Sequence, residues 1–292
     1  MLKYKEIFLG KDCNNRCVHC SYRRQAQSKP DINTIISSLQ SPPLLPLADG
    51  GRTDNILLYG GEPALRNDLF QIINAAKENG YRRIKLLTNG RAFSDINFLY
   101  QTINAGCYLF EIKLWGSNPS LHDYLTQSPN SFEETISGLE NLANLPCDKF
   151  VCVRIPVCKE NYADVENTVA AALNFGVNRI ILSMQDHRLV FYTVLPHIKN
   201  AINISIFNRI WVVTEGLPFC IMQGLEQHMN EIYQGWDALY EKTFKQHGHC
   251  FECVYKEICP GMESDYLEIH GDKEFSPVPA NKYSRDIKAL YE

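Results

Sequence analysis

The chain of 292 residues predicts an α/β fold in which parallel strands alternate with crossover helices. Three observations carry that prediction. Between Ile56 and Met184, short apolar runs alternate with stretches whose apolar residues recur at helical spacing. Those helical stretches carry recognisable start and stop residues. The composition, 45% hydrophobic and 21% charged, suits a globular chain long enough to bury a sizeable core.

The elements follow in order. A leader strand is expected over residues 4–9. Residues 41–55 are rich in Pro and Gly (Ser41-Pro42-Pro43-Leu44-Leu45-Pro46 through Asp49-Gly50-Gly51), cannot continue a helix, and read as an irregular connection. Further strands are expected over 56–59, 84–88, 108–114, 150–157 and 179–184, making six with the leader. Asn67 is a candidate cap for a helix bearing Phe70, Ile73 and Ala76 and closed by Gly80. Ser131 and Glu134 have capping-box spacing ahead of Ile136, Leu139 and Ala143. Asn161 opens a helix with Val165, Val169 and Leu173 on one face and Gly176 at its end. Beyond Met184 a helix is expected over 189–198, short strands over 204–207 and 210–214, and a helical stretch over 225–244. A boundary near residue 215 separates a domain over 1–214 from a small cysteine-rich extension over 215–292.

A net charge of −4 argues against a general nucleic-acid or membrane partner. No run reaches membrane-span length, and the N-terminus lacks a signal peptide's apolar stretch, so a cytoplasmic protein is expected. Eleven cysteines is an odd number, and without an export signal metal binding is a better reading of the clustered ones than disulfides. Cys107, Cys147, Cys152 and Cys158 lie in or beside apolar segments and are expected to be buried, inert thiols.

Cys13, Cys17 and Cys20 bring three thiols within eight residues, with the aromatic ring of His19 before the last. A cube of iron and sulfide takes four thiolates for full ligation, so three leave one iron open to another ligand. Zinc with a distant fourth ligand is the alternative. After the strand at 56–59 stands Gly60-Gly61-Glu62-Pro63, where two glycines permit close approach to the backbone and the Glu can accept hydrogen bonds from an ammonium group. The next strand ends Thr88-Asn89-Gly90, a turn signal by itself.

This order of motifs resembles the radical S-adenosylmethionine (SAM) superfamily. The resemblance implies a partial (β/α)6 TIM barrel in which Cys13, Cys17 and Cys20 hold a catalytic 4Fe-4S cluster, the amino acid end of SAM chelates the open iron, and an electron from the cluster cleaves SAM to a 5′-deoxyadenosyl radical. It assigns SAM contacts to Gly60, Gly61, Glu62, Pro63 and Asn89. It also implies an electron donor such as flavodoxin or ferredoxin. Many relatives carry a Ser at the end of the fourth strand; here Lys113 interrupts that pattern and Ser117 is the stand-in. His122-Asp123 reads as a solvated loop pair. Arg154, a charge within an apolar strand, needs an anionic partner, either the SAM carboxylate or a neighbouring side chain. The last strand ends Ser183-Met184-Gln185-Asp186-His187, where Met184 and the polar groups would face adenosine or substrate; His187 is either a general acid or base or a hydrogen-bonded loop residue.

Cys250, Cys253 and Cys259 have the two-then-five spacing of the SPASM-type extension in this superfamily, and Cys220 is a possible fourth thiolate. The position four beyond Cys259 is Glu263, so the resemblance is to a truncated, twitch-like version with one auxiliary 4Fe-4S cluster. Four thiolates suit tetrahedral zinc equally, and His247 and His249 flank the group as spare ligands. The tail and residues 122–145 look most like enzymes that modify ribosomal peptides by oxidation, crosslinking or epimerisation. The first cysteine lies within a dozen residues of Met1, which on this reading leaves no room for a separate leader-peptide-binding domain. A dehydrogenase or epimerase of a small molecule such as a sugar or aminoglycoside is the second reading; an epimerase would need a thiol hydrogen donor, for which Cys107, Cys152 and Cys158 are candidates. A non-catalytic iron–sulfur or zinc scaffold is the third.

Overall fold

The structure, a computed structural model, describes residues 4–20, 22, 29–40, 54–186, 188–234, 244–245, 248–256, 258–259 and 261–279. The Pro/Gly-rich stretch over 41–53, His187, His247, residues 235–243 of the helix expected over 225–244 and the side chain of His249 lie outside that description; the described part of that expected helix holds only a turn at Glu226–His228 and a short helix at Asn230–Gln234. Among the described residues seven strands form one sheet in chain order: β1 (Lys5–Phe8), β2 (Asn55–Tyr59), β3 (Arg83–Thr88), β4 (Leu109–Lys113), β5 (Phe150–Val157), β6 (Arg179–Met184) and β7 (Trp211–Glu215). Helices follow each of the first six: α1 (Ile32–Leu39), α2 (Leu69–Glu78), α3 (Ile96–Ala105), the pair α4 (Pro119–Thr126) and α5 (Ser131–Asn144), α6 (Val165–Leu173) and α7 (Phe191–Phe207). Strand order equal to chain order, with an unclosed edge, is the α/β arrangement of a partial TIM barrel. The chain divides into two compact units, residues 2–155 with 167–180, and residues 1, 156–166 and 181–292.

In the first unit β1 to β5 pair in parallel, with Phe8 opposite Tyr59, Leu57 opposite Lys85, Leu87 opposite Glu111, and Lys113 opposite Arg154. Side chains alternate across a strand. One face therefore presents Ile56, Leu58, Ile84, Leu86, Phe110 and Ile112, all buried. Phe93, from the turn after β3, meets Phe110 edge-on with ring centroids 5.2 Å apart. The opposite face carries Phe8, Tyr59, Lys85, Glu111, Lys113, Cys152 and Arg154. The helix side is thus mainly apolar, with Lys5 and Thr88 as its polar exceptions, while the other side mixes aromatic and charged groups.

Helix ends differ from the sequence expectation in instructive ways. Asp68, not Asn67, occupies the cap position of α2, without a side-chain cap bond. The capping box at Ser131 and Glu134 does not form: Asn130, at φ 64°, precedes the helix. Asp123 of α4 supplies the missing acceptor, taking bonds from Asn130 N at 2.8 Å, Ser131 Oγ at 2.8 Å and Phe132 N at 2.8 Å. Glu134 is free to pair elsewhere. His122 and Asp123 are accordingly helical rather than a solvated loop pair, and His122 is buried. Of the four cysteines expected to be buried, Cys147 is exposed.

In the second unit Asn161 does not cap a helix with its side chain; it bonds Pro156 O at 2.7 Å and Cys158 N at 2.8 Å. The strand expected over 204–207 is the last turn of α7. Its Ile-Ser-Ile-Phe alternation mimics a strand, but the helix begun at Phe191 continues through it. Glu274 accepts from the Tyr192 amide at 2.7 Å, so a distant carboxylate satisfies the N-terminus of α7. Tyr266 of α9 (Ser264–His270) stacks on Phe191 at 4.4 Å. Short helix α8 (Asn230–Gln234) precedes a two-stranded antiparallel ladder of β8 (Phe244–Lys245) and β9 (Met262–Glu263).

Candidate functional site

The three-cysteine loop is a continuation of sheet pairing. Leu9 N bonds Tyr59 O at 2.7 Å, Gly61 N bonds Gly10 O at 2.8 Å, and Glu62 N bonds Asp12 O at 2.7 Å. Two backbones therefore run side by side past the strand ends. A Cβ on Gly61 would overlap the Lys11 and Asp12 carbonyl oxygens, and one on Gly60, at φ 155°, would overlap Gly10 O. The glycines thus admit the cysteine loop itself to the end of β2.

Glu62 is 3% exposed and accepts from Thr88 Oγ1 at 2.6 Å, Asn89 N at 2.7 Å and Ala64 N at 3.0 Å. Burial pushes its carboxyl up, against the pull of those donors. Asn89 passes the constraint on, its Nδ2 donating to Asn14 Oδ1 at 2.7 Å inside the loop. Sequence reasoning missed Arg91. Its Nη1 donates to Asn14 O at 2.9 Å, Asn15 Oδ1 at 2.6 Å and Ser128 Oγ at 2.8 Å, and its Nε pairs with Glu134 at 2.5 Å. The end of α4 completes the clamp, Thr126 O accepting from Arg16 N at 2.8 Å and Leu125 O from Val18 N at 2.9 Å. His19 stacks on Trp115 with centroids 6.5 Å apart.

Within this frame Cys13, Cys17 and Cys20 lie close enough to influence one another's charge. Burial pushes the Cys17 thiol up to about 11, opposed first by the Lys113 ammonium; Cys13 is raised for the same reason. The three sulfurs are partly buried free thiols, and Cys13 Sγ accepts from Asn15 N at 3.3 Å. Three convergent thiols on a loop pinned at both ends fit a cluster that needs three protein ligands.

Arg154 meets one of its two expected partners, a neighbouring side chain: its Nε lies 2.5 Å from Glu111, which also pairs with Lys85 at 2.9 Å. Burial works to raise the Glu111 carboxyl, and the Arg154 and Lys85 charges hold it well below the carboxylate range. Ser117 Oγ accepts from Asn118 Nδ2 at 3.3 Å. His122, 1% exposed, accepts from Trp115 N through Nδ1 at 3.2 Å, and burial lowers it to about 4. It is a neutral packing residue at physiological pH.

In the second unit Ser183 and Met184 end β6, with Ser183 Oγ accepting from Gln185 Nε2 at 3.0 Å. Asp186 is engaged by Arg188 at 2.8 Å and Lys159 N at 3.3 Å. Cys220, Cys250, Cys253 and Cys259 line one cavity, with Lys256 and Asp272 at its wall. Backbone amides already address the sulfurs: Val278 N donates to Cys253 Sγ and Gly261 N to Cys259 Sγ, each at 3.4 Å. Burial pushes Cys220 up to about 11 and Cys259 up to about 12. Four thiols around one cavity, with amide donors behind them, have the ligand number of a fully ligated cluster and of zinc.

A family model described as the radical SAM superfamily matches residues 7–172. Among curated relatives, an AdoMet-dependent heme synthase of Methanosarcina barkeri is 28% identical over 166 residues, 56% of this chain and 45% of the relative. A probable GTP 3′,8-cyclase of Saccharolobus islandicus is 26% identical over 176 residues, 60% of this chain and 54% of the relative. The chain thus spans about half the length of the curated relatives it matches. In fold it is similar to Streptococcus suis SuiB bound to precursor peptide SuiA (TM-score 0.57, 14% identity, 77% of this chain and 51% of that one). Native anSMEcpe with bound AdoMet matches with TM-score 0.60 at 12% identity, over 100% of this chain and 96% of that one. With the cysteine loop and the Gly60–Pro63 turn both inside the matched segment, the chain belongs to the radical SAM superfamily.

Proposed function

We propose that this protein is a radical SAM enzyme that abstracts a hydrogen atom from a ribosomal peptide and leaves it oxidised, crosslinked or epimerised. The observation that carries the peptide reading is the four-thiol cavity of the second unit. An auxiliary 4Fe-4S cluster on Cys220, Cys250, Cys253 and Cys259 would give a substrate radical a place to deliver its electron. Structures of similar fold hold the peptides SuiA and Cp18Cys, which supports that substrate class.

Membership of the superfamily implies a 4Fe-4S cluster and SAM, which together supply a 5′-deoxyadenosyl radical when bound. Cys13, Cys17 and Cys20 would hold that cluster, leaving one iron for SAM. Gly60, Gly61, Glu62, Pro63, Asn89, Ser117, Arg154 and Met184 are the proposed cofactor contacts. The chain's own work is placement. Glu62, Asn89 and Arg91 fix the cysteine loop against the strand ends. The proposed division is a radical SAM core over 1–214 and an auxiliary-cluster extension over 215–292. A cytoplasmic setting and an electron donor such as flavodoxin or ferredoxin belong to the same proposal; among the described residues no helix is long and apolar enough to cross a membrane.

The curated relatives named for heme synthesis and GTP cyclisation favour a second reading, small-molecule chemistry. Cys152 shares a sheet face with Glu111 and Arg154 and is the cysteine best placed for a hydrogen-donor role in it. The deciding experiment combines metal content with label transfer. After anaerobic reconstitution, a Cys13/Cys17/Cys20→Ala variant is expected to keep about four irons in its tail. The intact protein, incubated with SAM, reductant and a deuterated candidate peptide, is expected to move deuterium into 5′-deoxyadenosine. Zinc in the tail together with transfer from a small molecule alone would replace the peptide reading by the second. No 5′-deoxyadenosine under any condition would leave a metal-binding scaffold.

A further inference from the structure

We propose that Lys113 sets the reduction potential of the cluster held by Cys13, Cys17 and Cys20, by keeping an unneutralised positive charge beside its thiolates. The inference rests on the cluster assignment above. Lys113 is the last residue of β4, on the sheet face that carries Glu111 and Arg154. Its Nζ lies 5.0 Å from the centroid of the Tyr22 ring, two residues beyond Cys20. An ammonium over an aromatic face is held without losing its charge. That charge bears on Cys17, on Cys13 and on Glu62 together.

The neighbouring cations Lys85 and Arg154 share a carboxylate, and Lys113 does not. Arg154 stands directly opposite Lys113 in register, an arrangement that like charges disfavour. Arg154 is relieved by Glu111, which also carries Lys85. Among the described residues Lys113 has no ion pair. A half-buried cation placed opposite a second cation needs an anion in front of it, and the thiolate-held cluster is that anion. Reduction adds one more negative charge to it. A fixed positive charge nearby favours the reduced form, and net charge around a cluster is one of the levers on its potential.

The test is a redox titration of the reconstituted, full-length protein, poised with dithionite and mediators and read by electron paramagnetic resonance. The signal that changes when SAM is added identifies the open-iron cluster, so loss of the cluster assignment and loss of the tuning role are told apart. Lys113→Gln is expected to retain its iron and to lower the ratio of reduced to oxidised cluster about tenfold at fixed ambient potential, about 59 mV for a one-electron couple. Lys113→Arg, which keeps the charge, is expected to restore the native ratio. An unchanged ratio in Lys113→Gln overturns the proposal, and so does a fall in SAM affinity without a change of potential, which would make Lys113 a SAM contact. Loss of iron in Lys113→Gln alone overturns it too, as a requirement for assembly.

Discussion

The molecule carries two thiol sites built on opposite principles. The site of Cys13, Cys17 and Cys20 is held by side chains and loop pairing from several strand ends: Glu62, Asn89 and Arg91 grip the loop, and the sulfurs themselves accept little. The site of Cys220, Cys250, Cys253 and Cys259 is held by local backbone, with amides of Gly261 and Val278 aimed at sulfur. Side-chain clamps around three thiols leave a coordination position open. Amides around four thiols close the site and favour a stable charge state. On the function proposed above, that difference would separate a place for chemistry from a place for storing an electron.

The contrast can be broken first at Gly61. Gly61→Ala drives a methyl group into two backbone carbonyls, at a cost of more than about 4 kcal/mol, and is expected to remove metal from the first site while the tail retains its own. Metal analysis of the purified variant against the wild type checks it. Next comes Glu111→Gln, which leaves Lys85 and Arg154 without their shared counter-charge; a loss of about 3–5 kcal/mol is expected in a denaturant titration. Arg91→Met removes donors to Asn14, Asn15 and Ser128. It is expected to cost about 1–3 kcal/mol and to lower iron at the first site only.

The smallest effect sharpens the comparison from the second unit. Burial raises the Glu231 carboxyl to about 8, opposed by its bond from Gly216 N, and its Oε2 is buried without a partner among the described residues. A carboxyl raised on folding is protonated in the native state while the unfolded chain has released its proton. Stability is therefore lost as pH rises from the unfolded value near 4.5 toward 8. Glu231→Gln keeps the acceptor for Gly216 and is expected to flatten that slope, with a gain of about 1 kcal/mol at pH 8. Thermal midpoints across the window measure it; an unchanged slope would mean that Glu231 does not titrate there.

The strands between Ile56 and Met184 were legible because apolar runs bounded by turn residues alternate there with helical spacing, and β5 and β6 span the residues expected. The motif turn at Gly60–Pro63 was legible as well, although its glycines serve the cysteine loop as directly as any ligand. Residues 204–207 misled because four residues of alternation cannot be told from a helix end without the helix in front of them. Ser131 misled because its cap role is taken by Asp123, whose position depends on how α4 folds back. Arg91 was illegible for a simpler reason: its partner Asn15 is 76 positions away, and local sequence holds no trace of the pairing. Likewise the Lys85, Glu111 and Arg154 group exists only once three strands are in register.

The extension of β1–β2 pairing into the cysteine loop has a consequence for how the protein is matured. Amides of Gly61 and Glu62 are bonded to Gly10 and Asp12 by the same ladder that holds the sheet. Ordering the loop is then part of folding the chain, and the entropy of arranging three thiols is not charged against the arriving cluster. Up to Asp12 the receptor is part of the folded sheet, so cluster delivery resembles docking more than co-folding. In hydrogen exchange the Gly61 and Glu62 amides should remain as protected as the strand interior before any iron has arrived.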